Sequence, residues 1–474
     1  MNARCVGPLM PGGSRRKTSS LFPYCTAVSD QAVENLAGNA ERRFVDGLMG
    51  GSFSMMLELV LPSAAEEGRR MLDEFGAQLG DDAPWGAALL SCRTPEAPAG
   101  QMMRLLADLA GCSFPLPLIF SYSGYGQRGC DALGFARQML AGGHRMALAV
   151  TGDLRSAGKE THCMDSVEIL EQFAAAGDRV CSGAVVNPAQ YHHLDSALVY
   201  GKLEKKLAAG ARFIVSSALW DMKKAQELQW YMRSRDYAVP VFAEMECCSE
   251  ETLEYYLHGE VHRTLMAGSM LRQMRADLKD SREHFAEEQL RRLARQAVGY
   301  RLLGYSGILL RGLDSAQLRS DFVRHYREAE NRLGDYESWR REWTADECVL
   351  ALPPLHTAEY LYSGLLEPGC QYESADELRT PRFIGAMPQA RRADRLISGL
   401  RRLADHARMP QFVRRALGMT PANIDGLRKT AYIGSRLCPK GLQCGACGGL
   451  QPGGLCEDGR RQCLFRRIQP LQEQ

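Results

Sequence analysis

Short apolar runs alternate with amphipathic stretches along most of the chain, beginning near Met55. Runs of this length that are rich in Val, Ile, Leu and Ala predict buried strands. The predicted strands are 55–62, 85–92, 116–123, 145–153, 179–188, 211–221, 239–245 and 306–312. Because these runs are apolar almost throughout, rather than at every second position, they are typical of parallel strands that are buried on both faces.

Helical patterns separate the apolar runs. The predicted helices lie near 64–79, 130–141, 165–176, 195–208, 222–234 and 284–304. The last of them ends at Gly304, a typical stop signal. The polar stretch 259–283 is irregular and could hold an extra helix or a loop. Eight strands with intervening helices in about 280 residues predict an α/β fold, a (β/α)8 TIM barrel.

The alternation of strand and helix patterns stops after Trp343, which predicts a domain boundary near residue 345. We therefore expect a flexible N-terminal leader at 1–50, a barrel domain at 51–345 and a C-terminal domain at 346–474. The leader is basic and has no acidic residue before Asp30, so it could also be a weak organelle-targeting signal. The Arg-rich helix predicted at 391–409 has either a solvated face or a surface for an acidic partner.

The end of the chain is rich in cysteine and glycine. Five cysteines lie within 26 residues. They are Cys438, Cys444, Cys447, Cys456 and Cys463. A segment with so few apolar residues cannot bury enough surface to fold alone, so bound zinc or an iron–sulfur cluster is the expected stabiliser. Loose surface thiols in a flexible tail are the alternative.

Composition excludes several classes of protein. Of the 474 residues, 45% are hydrophobic and 24% are charged, which is ordinary for a globular domain. A net charge of +2 gives no general attraction to nucleic acid or to a membrane surface, and no apolar run is long enough for a transmembrane helix. Sixteen cysteines without a secretory signal indicate a reducing compartment, the cytoplasm.

Polar residues at the ends of barrel strands are the candidates for chemistry, because TIM-barrel active sites lie there. Glu58 interrupts the first apolar strand, and a buried carboxylate suits a general acid unless it faces outward. Asp153 ends the fourth strand in Thr151-Gly152-Asp153, where glycine allows a ligand to approach the backbone, although a turn Asp is the plainer interpretation. Asn187 ends the fifth strand and could be part of a simple turn.

Two further features could contact a phosphate or a flavin. Lys206 lies on the helix after the fifth strand, where it is either solvated or anchors a cofactor phosphate. The segment from Gly124 to Gly129 fits G-x-G-x-x-G, with Gly126 as its second glycine. That motif alone suggests a dinucleotide fold, but eight strand–helix units favour a barrel in which the loop lines a phosphate or flavin.

Three segments resemble methylenetetrahydrofolate reductase over roughly residues 52–330. They are LELVLP around Glu58, AVTGD around Asp153, and 183–221. The C-terminal CPKGLQCGACGG with its two later cysteines resembles the zinc or iron–sulfur module that is fused to, or partnered with, some such reductases.

The resemblance implies a flavoprotein with FAD across the barrel mouth, which reduces 5,10-methylenetetrahydrofolate to 5-methyltetrahydrofolate. Glu58 matches the acid that helps to open the folate ring, and Asp153 matches the carboxylate near the flavin and folate. The predicted cofactor contacts are Thr151, Gly152, Asn187, Lys206, Gly124 and Gly126. Ser217 stands where the family usually carries a folate-binding Gln, and is the predicted substrate contact.

The resemblance also assigns the metal ligands. They are Cys438, Cys447, Cys456 and Cys463, while Cys444 stands where the family often has Asn. Electrons would come from NAD(P)H or from a donor protein, and a homo-oligomer is possible. Two other functions stay open on the same barrel: a methyltetrahydrofolate-dependent methyl transferase, and a non-catalytic reductase partner subunit.

Overall fold

The structure is a computed structural model. It describes residues 44, 52–62, 65–79, 84–92, 102, 104–106, 114–126, 131–154, 163–258, 266–346, 359–370 and 391–472. The predicted leader 1–50 therefore lies outside the described residues, apart from Phe44. The end of the G-x-G-x-x-G segment, at 127–130, also lies outside them.

Eight parallel strands close into a barrel in sequence order, which confirms the predicted fold. The strands are β1 Ser54–Leu61, β2 Trp85–Cys92, β3 Leu118–Ser123, β4 Met146–Val150, β5 Cys181–Val186, β6 Phe213–Ser216, β7 Val241–Glu246 and β8 Gly307–Arg311. Pairing of Ser54 with Gly307, and of Leu57 with Leu310, joins the first strand to the last. No sheet edge is left open along this ring, so every strand is paired on both sides.

The helices of the barrel region alternate with its strands. They are α1 Ala65–Gln78, α2 Ala132–Ala141, α3 Ser166–Ala175, α4 His193–Ala208, α5 Met222–Ser234, α6 Glu250–Leu257, α7 Gly268–Asp280, α8 Arg282–Leu302, α9 Ala316–Arg332 and α10 Tyr336–Ala345. Helix α7 occupies part of the polar stretch for which the sequence leaves a helix or a loop open.

The C-terminal region contains shorter helices. They are α11 Arg392–His406, α12 Gln411–Ala416, α13 Ile424–Lys429 and α14 Leu464–Gln472, with 3-10 turns at Ser435–Leu437 and Pro452–Gly454. Helix α11 confirms the predicted Arg-rich helix. Among the described residues, none of the helices is both long enough and apolar enough to cross a bilayer.

Side chains alternate between the barrel interior and the surrounding helices, as the pleat of a strand requires. Large apolar side chains from several strands form one buried cluster inside the barrel, which Phe44 joins by stacking on Phe242. Farther along the same faces, towards the carboxyl ends of the strands, the inward positions become polar, with Glu58 on β1, Glu244 on β7 and Arg311 on β8. The interior is therefore filled at one end and polar at the other.

Segments of the C-terminal region pack against the barrel helices. The buried Glu227 carboxylate of α5 pairs with Lys224 at 2.9 Å and accepts a hydrogen bond from the Leu361 N–H at 2.7 Å. A buried carboxylate is tolerated because cation and amide donors surround it. The Cys-rich segment lies elsewhere, over the carboxyl ends of the strands.

Candidate functional site

A cavity of about 430 Å³ opens at the carboxyl ends of the strands. Its walls include six of the predicted catalytic, cofactor-binding and substrate-binding residues, which belong to four separate segments. They are Glu58, Thr151, Gly152, Asp153, Lys206 and Ser217. Because the carboxyl ends of barrel strands converge on one mouth, residues far apart in the sequence meet there.

Arg311 forms the floor of the cavity together with two carboxylates. Its Nε lies 2.5 Å from Glu58 Oε2, and its other guanidinium nitrogen contacts Glu244. Although burial alone lowers the pKa of Arg311, the carboxylates of Glu244, Glu58 and Glu246 hold that pKa well above its usual value. Glu58 therefore faces inward, and Arg311 fixes its orientation.

The Thr151-Gly152-Asp153 segment forms one wall. Gly152 has a φ of +84°, and a Cβ there would lie 2.7 Å from Tyr125 Cβ. Only glycine avoids both the strained backbone and this clash. Thr151 Oγ1 accepts a hydrogen bond from the Ser166 N–H at 3.3 Å, which ties the segment to the start of α3. Asp153 is thus carried on a turn whose backbone is fixed by packing.

The roof of the cavity comes from the Cys-rich segment. Lys440, Cys447, Gly448 and Gly449 line it. Side chains of the barrel hold this roof through backbone carbonyl groups. These hydrogen bonds run from Asn187 Nδ2 to Gly448 O at 2.8 Å, from Gln190 Nε2 to Leu450 O at 3.1 Å and from Lys205 Nζ to Cys444 O at 2.9 Å. The predicted cofactor contact Asn187 therefore binds the roof instead of lining the cavity.

Lys206 is a buried cation in the cavity wall. Its Nζ donates a hydrogen bond to Val185 O at 2.5 Å. Burial, and then the nearby charge of Lys202, lower the pKa of Lys206 to about 7. A lysine in this state readily accepts a proton when an anion binds beside it, as a cofactor phosphate would.

The two predicted glycines of the G-x-G-x-x-G segment lie beside the cavity and do not line it. The Gly124 N–H donates to Val150 O at 2.9 Å, and Gly124 O accepts from the Met164 N–H at 2.9 Å. A Cβ at residue 124 would lie 2.2 Å from Met164 O, whereas one at Gly126 would meet nothing within 4 Å. Close backbone packing therefore explains the first glycine without a ligand.

The four cysteines that are predicted to bind metal lie near one another. Burial, followed by the charges of Cys438 and Cys456, raises the pKa of Cys463 to about 12. Burial also raises the pKa of Cys447 well above its usual value, although Lys440 opposes this. Among the described residues, however, no three Cys, His, Asp or Glu side chains are grouped closely enough to hold a metal ion. Binding of zinc or a cluster by these thiols therefore stays a prediction.

Two hydroxyl groups in the cavity wall have no partner among the described residues. Ser91 Oγ and Ser166 Oγ are buried and make no hydrogen bond to that part of the chain. An unsatisfied buried hydroxyl costs about 1–3 kcal/mol, so a polar ligand that supplied partners would recover that cost. A second cavity of about 720 Å³ also has Glu58 in its wall.

No protein-family model matches the chain, and no curated protein matches its sequence. Similar solved structures include an uncharacterized protein from Clostridium thermocellum that binds two copies of 5-methyl-5,6,7,8-tetrahydrofolic acid. It is 10% identical, covers 61% of this chain and 99% of its own, and has a TM-score of 0.42. Another is 2,3-dimethylmalate lyase of the PEP mutase/isocitrate lyase superfamily, at 13% identity, 62% and 87% coverage and a TM-score of 0.34. At these scores the likeness carries no functional argument, and the fold rests on the strand topology.

Sequence reasoning missed four charged residues of the site. Glu244 and Arg311 interrupt apolar strands just as Glu58 does, so the same signal could have found them. Lys440 and Glu457 lie in the Cys-rich segment, where a charged residue carries no local signal of burial. Both side chains are buried between the roof and the barrel, which only the three-dimensional structure shows.

Proposed function

We propose that this chain is a flavin-dependent oxidoreductase that reduces 5,10-methylenetetrahydrofolate to 5-methyltetrahydrofolate. The observation that supports the proposal is the convergence of Glu58, Asp153, Lys206 and Ser217 in one cavity at the barrel mouth. These residues come from separate segments that resemble one family, and the barrel brings them to the wall of the same cavity.

The residues present fit a flavin in part. Lys206 supplies a buried amine that can take up a proton beside a phosphate. The Ser91 and Ser166 hydroxyls, which have no partner within the described part of the chain, can supply hydrogen bonds for a polar ring. FAD, when bound, supplies the hydride. Asn187 and Gly124 do not line this cavity. Asn187 binds the roof, and Gly124 packs against Met164, just before α3.

The protein side of the reaction is proton transfer and orientation. Glu58, held beside Arg311, would pass a proton taken up from solvent to the folate nitrogen that leaves as the five-membered ring opens. Asp153 would lie on the opposite wall as the carboxylate that orients the pterin, and the Ser217 hydroxyl would add a contact from the end of β6. The roof would limit the access of water to the reacting atoms.

A second candidate follows from the same contacts. Because Asn187 and Gly124 are engaged in internal packing, the cavity has fewer groups for a flavin than the family resemblance implies. A methyltetrahydrofolate-dependent methyl transferase needs a pterin site but no flavin. It would bind methyltetrahydrofolate and transfer the methyl group without any nicotinamide.

The test begins with the purified full chain, which should be yellow or should quench the fluorescence of added FAD. After photoreduction of the flavin, adding methylenetetrahydrofolate should reoxidise it in a single turnover, so no electron donor has to be known. The Glu58→Gln variant should slow this step by roughly 10²–10⁴-fold while binding FAD normally.

The matched control is Glu254→Gln, which alters an exposed glutamate on α6 and should reoxidise at the wild-type rate. A colourless chain that binds no FAD would refute the reductase. Methyl transfer by that flavin-free chain would then favour the second candidate, and binding of neither flavin nor pterin would favour a non-catalytic partner subunit.

A further inference from the structure

The roof of the cavity contains a buried ion pair that no sequence motif marks. Lys440 and Glu457 are in direct contact, and their side chains are 3% and 8% exposed. Glu457 also accepts a hydrogen bond from the Cys447 thiol at 3.4 Å. A charge pair that has lost its water must be held by good geometry, because breaking it leaves a buried charge alone.

This ion pair holds the backbone on both sides of Asp153. Lys440 Nζ donates to Gly152 O at 2.6 Å, and Glu457 Oε1 accepts from the Leu154 N–H at 2.7 Å. The peptide groups before and after Asp153 are therefore bound by opposite ends of one ion pair. Holding both flanking peptides fixes the direction in which the Asp153 side chain leaves the backbone, and therefore the position from which its carboxylate reaches the cavity.

The barrel holds the same turn from the other side. The Gly152 backbone packs against Tyr125 and Ser123, so closely that a Cβ would lie 2.8 Å from Ser123 Oγ. Lys440 O accepts from the Cys163 N–H at 2.9 Å, which fixes the lysine backbone to the approach of α3. Lys440 itself lines the cavity together with Asp153. The C-terminal segment is thus a wall of the site and is not an appendage of the barrel.

We propose that Lys440 and Glu457 are positioning residues, which set the orientation of the Asp153 carboxylate towards the substrate through the peptides of Gly152 and Leu154. This inference rests on the proposed function in one respect: it assigns Asp153 a role in the reaction. The pair does not touch the reacting atoms in this assignment. When the C-terminal segment docks, the pair places the carboxylate of the turn that follows β4.

Amide hydrogen exchange of Leu154 in the full-length protein tests the geometry without any assay of activity. Glu457→Ala should speed the exchange of the Leu154 N–H at least tenfold, because its acceptor is removed. Glu457→Gln keeps an amide oxygen and should retain most of the protection, which guards against misfolding of the alanine variant. Lys205→Met is the control, since it removes a roof hydrogen bond to Cys444 O and leaves the Asp153 turn intact.

Kinetics then test the consequence. Lys440→Met should lower kcat by about 10–100-fold with KM changed less than about threefold, because a misplaced group costs rate more than binding. Lys440→Arg should recover most of kcat, and Lys279→Met, which alters an exposed lysine on α7, should retain it. If the exchange rate of the Leu154 N–H were unchanged in Glu457→Ala, the ion pair would not hold the Asp153 turn, and the proposal would be wrong. If kcat were unchanged in Lys440→Met, the pair would only attach the C-terminal segment to the barrel and would not position Asp153. A wild-type protein without turnover would refute the proposed function. The exchange data would still show whether the ion pair holds the Asp153 turn.

Discussion

Lys206 is a buried lysine on which neighbouring charges act in opposite directions. Its ammonium donates to Val185 O, but burial and the proximity of Lys202 disfavour the charged form, while Asp165 and Cys447 favour it. The result is a lysine with a pKa of about 7, several units below that of a solvated lysine. A lysine of this kind is poised to take up a proton when an anionic ligand enters the cavity.

This lowered pKa predicts a specific pH dependence of stability. Between about pH 7 and pH 10 the unfolded chain holds the Lys206 proton and the folded chain has lost it, so the free energy of unfolding rises with pH in that window. The wild type should gain up to about 1.4 kcal/mol per pH unit relative to Lys206→Met. Urea denaturation from about pH 6 to pH 9 measures this, with Lys279→Met as an exposed-lysine control. A difference that stays constant across the window would contradict the assignment.

At the scale of elements, the loop after β3 shows how a glycine motif can arise from packing. Gly124 exchanges backbone hydrogen bonds with Val150 and Met164, so the strand ends β3 and β4 are joined to the approach of α3 through this residue. Gly126 has a φ of +69° and open space around it. The two glycines of the motif therefore satisfy different physical requirements, and neither lines the cavity.

Alanine substitutions should separate these requirements. Gly124→Ala should destabilise the protein by about 2–3 kcal/mol, because its Cβ would overlap Met164 O. Gly126→Ala should cost about 1 kcal/mol, from backbone strain alone. Denaturation curves give both values. If instead both variants were stable and Gly126→Ala weakened FAD binding more than about tenfold, the loop would be a cofactor cradle.

Strands were the elements that the sequence pattern predicted best, and their ends were predicted least well. The run 85–92 coincides with β2, but the run 211–221 extends past β6, which ends at Ser216. Ala218 and Leu219 follow the last paired residue and are still buried, so composition cannot mark where pairing stops. The inward-facing charge of Glu58 could be predicted, since a carboxylate within an apolar run is conspicuous.

At the scale of the whole molecule, the C-terminal region and the barrel share one site. The hydrogen bond from Lys440 to Gly152 joins residues 288 positions apart. Periodicity and motif spacing are local signals, so they predicted the barrel and the Cys-rich segment separately and gave no information on how the two meet. For the same reason the role of Asn187 as a roof contact could not be predicted, although its place at the end of β5 was.

The shared site makes a prediction about the cysteines, whose binding of zinc or a cluster stays a prediction. Cys447 lines the cavity and its thiol donates to Glu457, whereas Cys444 contributes its backbone carbonyl, which a serine retains. Cys447→Ser should therefore weaken ligand binding in the barrel and lower the stability of the C-terminal region, and Cys444→Ser should change neither.

Elemental analysis of the same two variants decides the role of metal. About one zinc or about four irons per wild-type chain, lost in Cys447→Ser and kept in Cys444→Ser, would require the thiols to converge when metal binds. If the wild-type protein contained no metal, and only Cys447→Ser weakened ligand binding and stability, the role of Cys447 would be packing under the roof. If the two variants had the same ligand affinity, stability and metal content, Cys447 would have no specific role in the site.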